Sequence, residues 1–178
     1  MIIALAGRRV DTADATQARF PLENIELVRE RIREMLRARA ATLLVSAAAC
    51  GADLLALSEA GALGIRRRVV LPFERDRFRE TSVTDRPGNW GPVYDQVLNE
   101  VAAVGDLLIA NPTSKGNEYA AGNLAILDEA LRLGGDTSQG VDAVLVWEGS
   151  SRGEDDNTEH FGVEARKRGL PLIEVRTI

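Results

Sequence analysis

Six short apolar runs, IIALA (2–6), TLLVS (42–46), RVVLP (68–72), DLLIA (106–110), AVLVW (143–147) and PLIEV (171–175), are separated by longer stretches with helical spacing. Continuous apolar runs of this length suit strands buried on both faces. Helices between successive strands make the neighbours parallel, because parallel strands need a long crossover. The pattern predicts an α/β fold: one Rossmann-like domain over residues 1–178, its mainly parallel sheet of about six strands flanked by helices on both faces. A chain of 178 residues, 45% of them hydrophobic, can fill one core of ordinary size.

Local signals place the helices. Pro21 suits a first helical turn, and Leu22, Ile25, Val28, Ile32, Met35 and Leu36 recur at spacings of three and four. Gly51 to Leu63 reads as a second helix, and Pro92 opens a third. The fourth runs from Asn117 to Leu133 and stops at Gly134-Gly135, and the last spans Thr158 to Arg168. The segment from Pro72 to Pro92 is long for a strand-to-helix connection; a short helix is expected from Glu74 to Arg79, folded over a site.

Composition narrows the chemistry. One cysteine excludes an internal disulfide and argues against a Cys-based zinc site, which points to a reducing cytoplasm. The opening MIIALAGRRV lacks a signal-peptide pattern, and no apolar stretch reaches membrane-spanning length, so a soluble, unprocessed chain is expected. A formal charge of −5 with 4% aromatic residues argues against nucleic acid as a partner, which would call for a basic surplus and stacking side chains. No metal and no cofactor is expected, and a homo-oligomer is compatible with the sequence.

Ligands of open parallel sheets bind outside the carboxyl ends of the strands, so the loops there carry the candidates. Gly7 permits a tight turn, and Arg8 and Arg9 offer forked donors for a phosphate, although two solvated arginines in a turn would read the same way. In VSAAACGAD (45–53), small side chains leave backbone N–H groups before a helix N-terminus, which suits a bound anion; close strand-helix packing would also select small residues. A nucleophilic Cys50 would need a base within reach, and the only histidine, His160, is far along the chain. Asp53 holds a ligand hydroxyl or caps the helix. Thr113, Lys115, Tyr119 and Asn123 could reach the ligand, Arg75, Arg77 and Arg79 could include a phosphate contact, and Trp147 stacks on a base or belongs to the core. Arg66 to Arg68 reads as a strand start with solvated ends.

VSAAACGADLLALSEAGAL resembles a segment of DNA-processing protein A and, more loosely, the glycine-rich loop of the LOG phosphoribohydrolases, both of the SLOG superfamily of Rossmann-like nucleotide binders. A nearer likeness is to SLOG-type domains associated with bacterial nucleotide cyclases and tetratricopeptide-repeat proteins. It rests on Gly7 and Asp11, Arg19 to Pro21, ACGAD, Leu71 to Phe73, Phe78, Thr81 to Val83, Trp90, and Val146 to Gly149, and spans nearly the whole chain. The LOG signature PGGxGTxxE is not kept. Asn157-Thr158 stands at its glycine and threonine, Phe161 replaces its glutamate, and Glu159 lies one residue from Thr158, about 100° away on a helix.

The resemblance implies recognition of a nucleotide or nucleotide-derived signal. On this reading Gly7, Arg8 and Arg9 contact phosphate, Ser46, Cys50 and Gly51 cradle it through backbone donors, and Asp53 serves as above. Pro72 and Phe73 join the ligand loop, and Asn157 with Thr158 supplies a second polar loop. The alternative is a LOG-like hydrolase of the N-glycosidic bond, with Glu148 and Glu159 as candidate catalytic carboxylates. Single-stranded DNA binding is a further alternative.

Overall fold

The computed structural model describes residues 1–110, 117–137 and 139–178, and all six predicted strands form in it. They are β1 (Ile2–Gly7), β2 (Leu43–Ser46), β3 (Arg66–Leu71), β4 (Leu107–Ile109), β5 (Val141–Trp147) and β6 (Leu172–Arg176). They make one sheet in the order β4-β3-β2-β1-β5-β6, every pair parallel. The chain steps outward from β1 to β4 and then returns to lay β5 along the other side of β1. The strand order therefore reverses between β1 and β5, which is where open sheets of this kind leave a crevice.

Because successive strand residues face opposite ways, each central strand feeds two cores. Ile3, Leu5, Leu44, Val69, Leu71, Val144 and Val146 point to one face, which is covered by α1 (Ile25–Ala38), α2 (Ala52–Ala62), α3 (Arg75–Ser82) and α4 (Trp90–Ala103). Ile2, Ala4, Ala6, Val45, Val70, Ala143 and Leu145 point to the other, which is covered by α5 (Glu118–Thr137) and α6 (Asn157–Lys167). The architecture is the expected α/β Rossmann-like one. Among the described residues no helix is long and apolar enough to cross a membrane.

Three details differ from the sequence reading. The third helix starts at Trp90, which leaves Pro92 within its first turn, where a missing N–H costs nothing. α5 continues through Gly134-Gly135 to Thr137. Gly134 is buried there, and a Cβ on it would stand 2.8 Å from Val141 Cγ2, so this glycine serves helix-strand contact rather than helix termination. The arginine run opens β3 with Arg66 exposed, as expected, but Arg67 and Arg68 are half-buried and all three side chains are paired. Arg66 binds Asp106 at 2.6 and 2.8 Å, Arg67 binds Glu100 at 2.7 Å, and Arg68 binds Glu129 at 2.8 Å.

Candidate functional site

A cavity of about 260 Å³ opens at the carboxyl ends of the strands, beside the β1/β5 reversal. Ala6, Gly7, Arg8 and Arg9 line it from the end of β1, Ala47, Ala49 and Asp53 from the β2-α2 turn, and Val70 and Pro72 from β3. α5 contributes Tyr119, Gly122 and Asn123, and the segment after β5 contributes Arg152, Asn157 and Thr158. The volume lies near the lower end of the ~300–1,000 Å³ common for small-molecule sites.

At the N-terminus of α2, which the ACGAD turn offers to an anion, the chain itself takes two of the N–H groups. Ala52 N–H donates to the Arg8 carbonyl at 3.1 Å, and Cys50 N–H donates to the Ser82 carbonyl at 2.9 Å. Gly51, at φ 92°, sits so close that a Cβ there would stand 2.8 Å from both Arg8 O and Val10 N. Residues 8–10 thus pack directly on the turn, and smallness at 47–51 lets backbone meet backbone. Ser46 is also removed from the site: its buried hydroxyl donates to the Leu5 carbonyl at 3.0 Å.

Cys50 is fully buried, and burial pushes its thiol up to about 12. A thiol so protected is a packing residue. Native protein is expected to leave Cys50 unmodified by iodoacetamide at pH 8 over hours, with full labelling after denaturation. Rapid labelling of the folded chain, followed by mass spectrometry, would contradict this burial.

Asp53 faces the cavity. It lies in the first turn of α2, whose N-cap is Gly51, so it is not the capping residue. Its Oδ2 accepts the Ala49 N–H at 3.3 Å, while Oδ1 is buried without a hydrogen-bond partner among the described residues. Only 6% of the residue is exposed. Burial pushes its carboxyl up to about 7, a rise held back by the Ala49 N–H, by the nearby Gly7 N–H, which makes no hydrogen bond of normal geometry to it, and by the Arg9 charge. An unpaired buried oxygen with a titration point near neutrality is a recurrent mark of a working group.

The arginines divide into spent and available ones. Arg8, 3% exposed, is held by Glu148 through Nε at 2.7 Å and by Asp156 through its terminal nitrogens at 2.5 and 2.8 Å, and it also donates to the Ser150 carbonyl. It edges the cavity with its donors consumed, so the expected phosphate contact gives way to bracing. Glu148, the first catalytic candidate, is the counter-charge. It binds Arg8 and Arg19 and is not on the cavity wall. Burial would raise its carboxyl, but hydrogen bonds from Arg8 and Arg19 hold it below the usual range, which does not suit an acid. Glu159 accepts from the Ser151 hydroxyl and is likewise off the wall.

Asp156 closes the second helix terminus of the site. Its Oδ1 accepts the N–H groups of Thr158 and Glu159, and Oδ2 accepts that of Arg152. Burial alone would raise its carboxyl; hydrogen bonds from Arg8, Arg152 N–H and Glu159 N–H bring it to about 2. Anion binding therefore falls to side chains. Among the described residues the Arg152 guanidinium has no hydrogen-bond partner; its nearest carboxylate oxygen, on Asp156, is 3.8 Å away, and Arg8 and Arg19 stand near it. Arg86 spends one nitrogen on the Val10 carbonyl at 3.1 Å, and Arg9 binds Asp85 at 2.6 and 2.8 Å with its side chain 29% exposed.

Of the remaining candidates, Gly7, Pro72, Asn157 and Thr158 line the cavity. Gly7 is required there because a Cβ would meet Ala52 and stand 2.8 Å from Val146 Cβ. Phe73 does not line it; its ring packs on Phe78 and Tyr119 and lies under Arg77. Trp147 belongs to the core, its Nε1 donating to Glu174 at 3.0 Å. Arg75, Arg77 and Arg79 pair with Asp95 or Glu118. Tyr119 and Asn123 do reach the cavity, whereas Thr113 and Lys115 lie outside the described residues. Arg152 and Arg86 line it without having been singled out, since an isolated arginine in a polar loop carries no distinguishing spacing, and Ser82, the buried last residue of α3, was named only within the Thr81 to Val83 likeness. No protein-family model matches this sequence, and no curated protein does.

Proposed function

We propose that the cavity binds a nucleotide or nucleotide-derived small molecule, and that the chain is a SLOG-type sensor or effector-associated module. One observation carries this reading: Arg152, whose guanidinium has no hydrogen-bond partner among the described residues, and Arg86, with one nitrogen engaged, line the cavity beside Arg8, Arg9 and Arg19, which Glu148, Asp156 and Asp85 already pair. Guanidinium donors left unspent in a recess favour an anionic ligand. The apolar part of the wall, Ala47, Val70, Pro72 and Phe78, suits a flat heterocycle. The resemblance carried by ACGAD and LPF points the same way. A cavity of about 260 Å³ suits a small molecule better than a strand of DNA.

A thermal-shift screen of nucleoside mono-, di- and triphosphates and cyclic nucleotides tests the reading. A ligand at about 100 times its Kd adds roughly 2.7 kcal/mol, an easily visible rise in Tm. Arg152→Ala is expected to weaken binding of any hit by about tenfold or more, as loss of a charge-assisted contact does. Unchanged melting with every nucleotide at millimolar concentration would contradict the proposal.

The hydrolase alternative gains one specific support and a different residue. Glu148 and Glu159 are off the wall, but Asp53 is on it, with a titration point suited to proton transfer near neutrality. If the ligand is cut at its N-glycosidic bond, incubation releases free base and Asp53→Asn abolishes turnover. Recovery of intact ligand excludes this chemistry.

A further inference from the structure

The Oδ1 atom of Asp53 is the one feature of the cavity that binding an anion alone leaves unexplained. It is buried and without a hydrogen-bond partner among the described residues, while Oδ2 accepts the Ala49 N–H at 3.3 Å. Buried polar atoms in folded proteins almost always have partners, and an orphan on a cavity wall is satisfied by whatever enters. Toward the ionised carboxyl an incoming phosphate cannot do this, because its oxygens are acceptors and would face another acceptor. A hydroxyl can.

We propose that Asp53 is the specificity-determining residue of the cavity, its Oδ1 accepting a hydrogen bond from a sugar hydroxyl, so that the site takes nucleotides with an intact ribose. This rests on the nucleotide reading above. Position supports it: Asp53 is 6% exposed and lies at the inner wall, whereas the available guanidinium of Arg152 is exposed. A ligand anchored at both must carry a donor within and an anion without, as a ribose bearing a phosphate does. Gly7, Ala47 and Ala49 are the neighbouring wall residues, and their small side chains leave the sugar room to approach.

The contact couples binding to protons. The charged and titratable groups facing the cavity with Asp53 are Arg8, Arg9, Asp11 and Arg19 after β1, Arg86 between α3 and α4, Tyr119 on α5, and Arg152 after β5; Cys50 lies behind it. The arginines stay charged at every accessible pH. Asp53 is neutral in the free protein below about pH 7. A hydroxyl donor selects the ionised carboxyl, so its contribution grows as pH rises through that point.

The test compares 5′-monophosphate ribonucleotides with their 2′,3′-dideoxy counterparts by calorimetry between pH 5.5 and 8. Using the ratio of the two Kd values cancels the titration of the phosphate, which both share. A hydrogen bond to a carboxylate is expected to give the ribonucleotide an advantage of about tenfold or more at pH 8, shrinking at pH 5.5 to the roughly few-fold advantage of a neutral hydrogen bond. In Asp53→Ala the ratio falls to unity at every pH. In the isosteric Asp53→Asn, which keeps an oxygen for Ala49 N–H, the ratio loses its pH dependence. Equal affinity of both nucleotide classes at pH 8, or a wild-type ratio in Asp53→Ala, overturns the assignment while leaving the nucleotide reading intact. Binding of neither class overturns both.

Discussion

Asp53→Asn is expected to raise the thermal stability of the ligand-free protein at pH 8 and to change it little at pH 4. The folded chain holds the Asp53 carboxyl at about 7, well above the ordinary value near 4 in an unfolded chain. The folded state therefore binds the proton more tightly. The stability gained from that proton is present below about pH 4 and is lost as pH rises to about 7. Summed over the window, ionising this buried carboxyl costs on the order of 4 kcal/mol. Asparagine keeps the shape and the acceptor for Ala49 N–H without the charge. For a domain of this size each kcal/mol moves Tm by about 2–4 °C, so the gain at pH 8 is roughly 10 °C. A residue that weakens the free protein while lining its cavity is what a ligand contact of this kind entails. Equal melting of the two proteins from pH 4 to pH 8 would show that Asp53 is solvated.

Arg8→Met is expected to destabilise strongly, by about 3–5 kcal/mol, because it leaves Glu148 and Asp156 buried without their main partner. The side chains of Arg8, Glu148 and Asp156 are each at most 3% exposed, so solvent cannot replace the lost cation. Methionine fills much of the same volume, which separates the charge effect from a cavity. A triple substitution adding Glu148→Gln and Asp156→Asn is expected to recover part of the loss, and the recovered part measures the coupling. Acid should act on the same network. Asp156, held at about 2, contributes stability that is complete above about pH 4 and is lost as pH falls toward 2. Wild-type protein should thus lose stability on both sides of a region near pH 4, to Asp156 below and to Asp53 above. A loss under about 1 kcal/mol in Arg8→Met would mean that the network is a surface one.

The fold was legible because its signals are local and redundant. Each central strand is a continuous apolar run, as burial on both faces demands, and each helix carries a periodic stripe. The misreadings occurred where one residue type serves two physical purposes. Gly134 looks like a helix stop and is instead a close contact with Val141. Gly51 and the alanines before it look like a phosphate cradle and instead admit the backbone of residues 8–10, a contact between segments some forty residues apart. Small side chains announce that something approaches, not what.

The site was harder to read for the same reason. Arg8 and Glu148 are 140 residues apart, and nothing in either segment indicates that each neutralises the other. Arg152 looks like any loop arginine, and it stands out only because Asp156 is already engaged by Arg8 and by three backbone N–H groups. Asp53 was marked by its place in ACGAD, but its two roles could be separated only by geometry: Gly51 is the cap, and Oδ1 is left for the cavity.

Carbon-13 NMR titration of the Asp53 side-chain carboxyl, assigned by comparison with Asp53→Asn, tests the proposed site most directly. In the free protein the resonance is expected to titrate with a midpoint near pH 7. A saturating ribonucleotide should move the midpoint down, because a hydroxyl donor stabilises the ionised form. An ordinary midpoint near pH 4, unmoved by any nucleotide, would contradict the buried, unpaired carboxyl on which the proposed site depends.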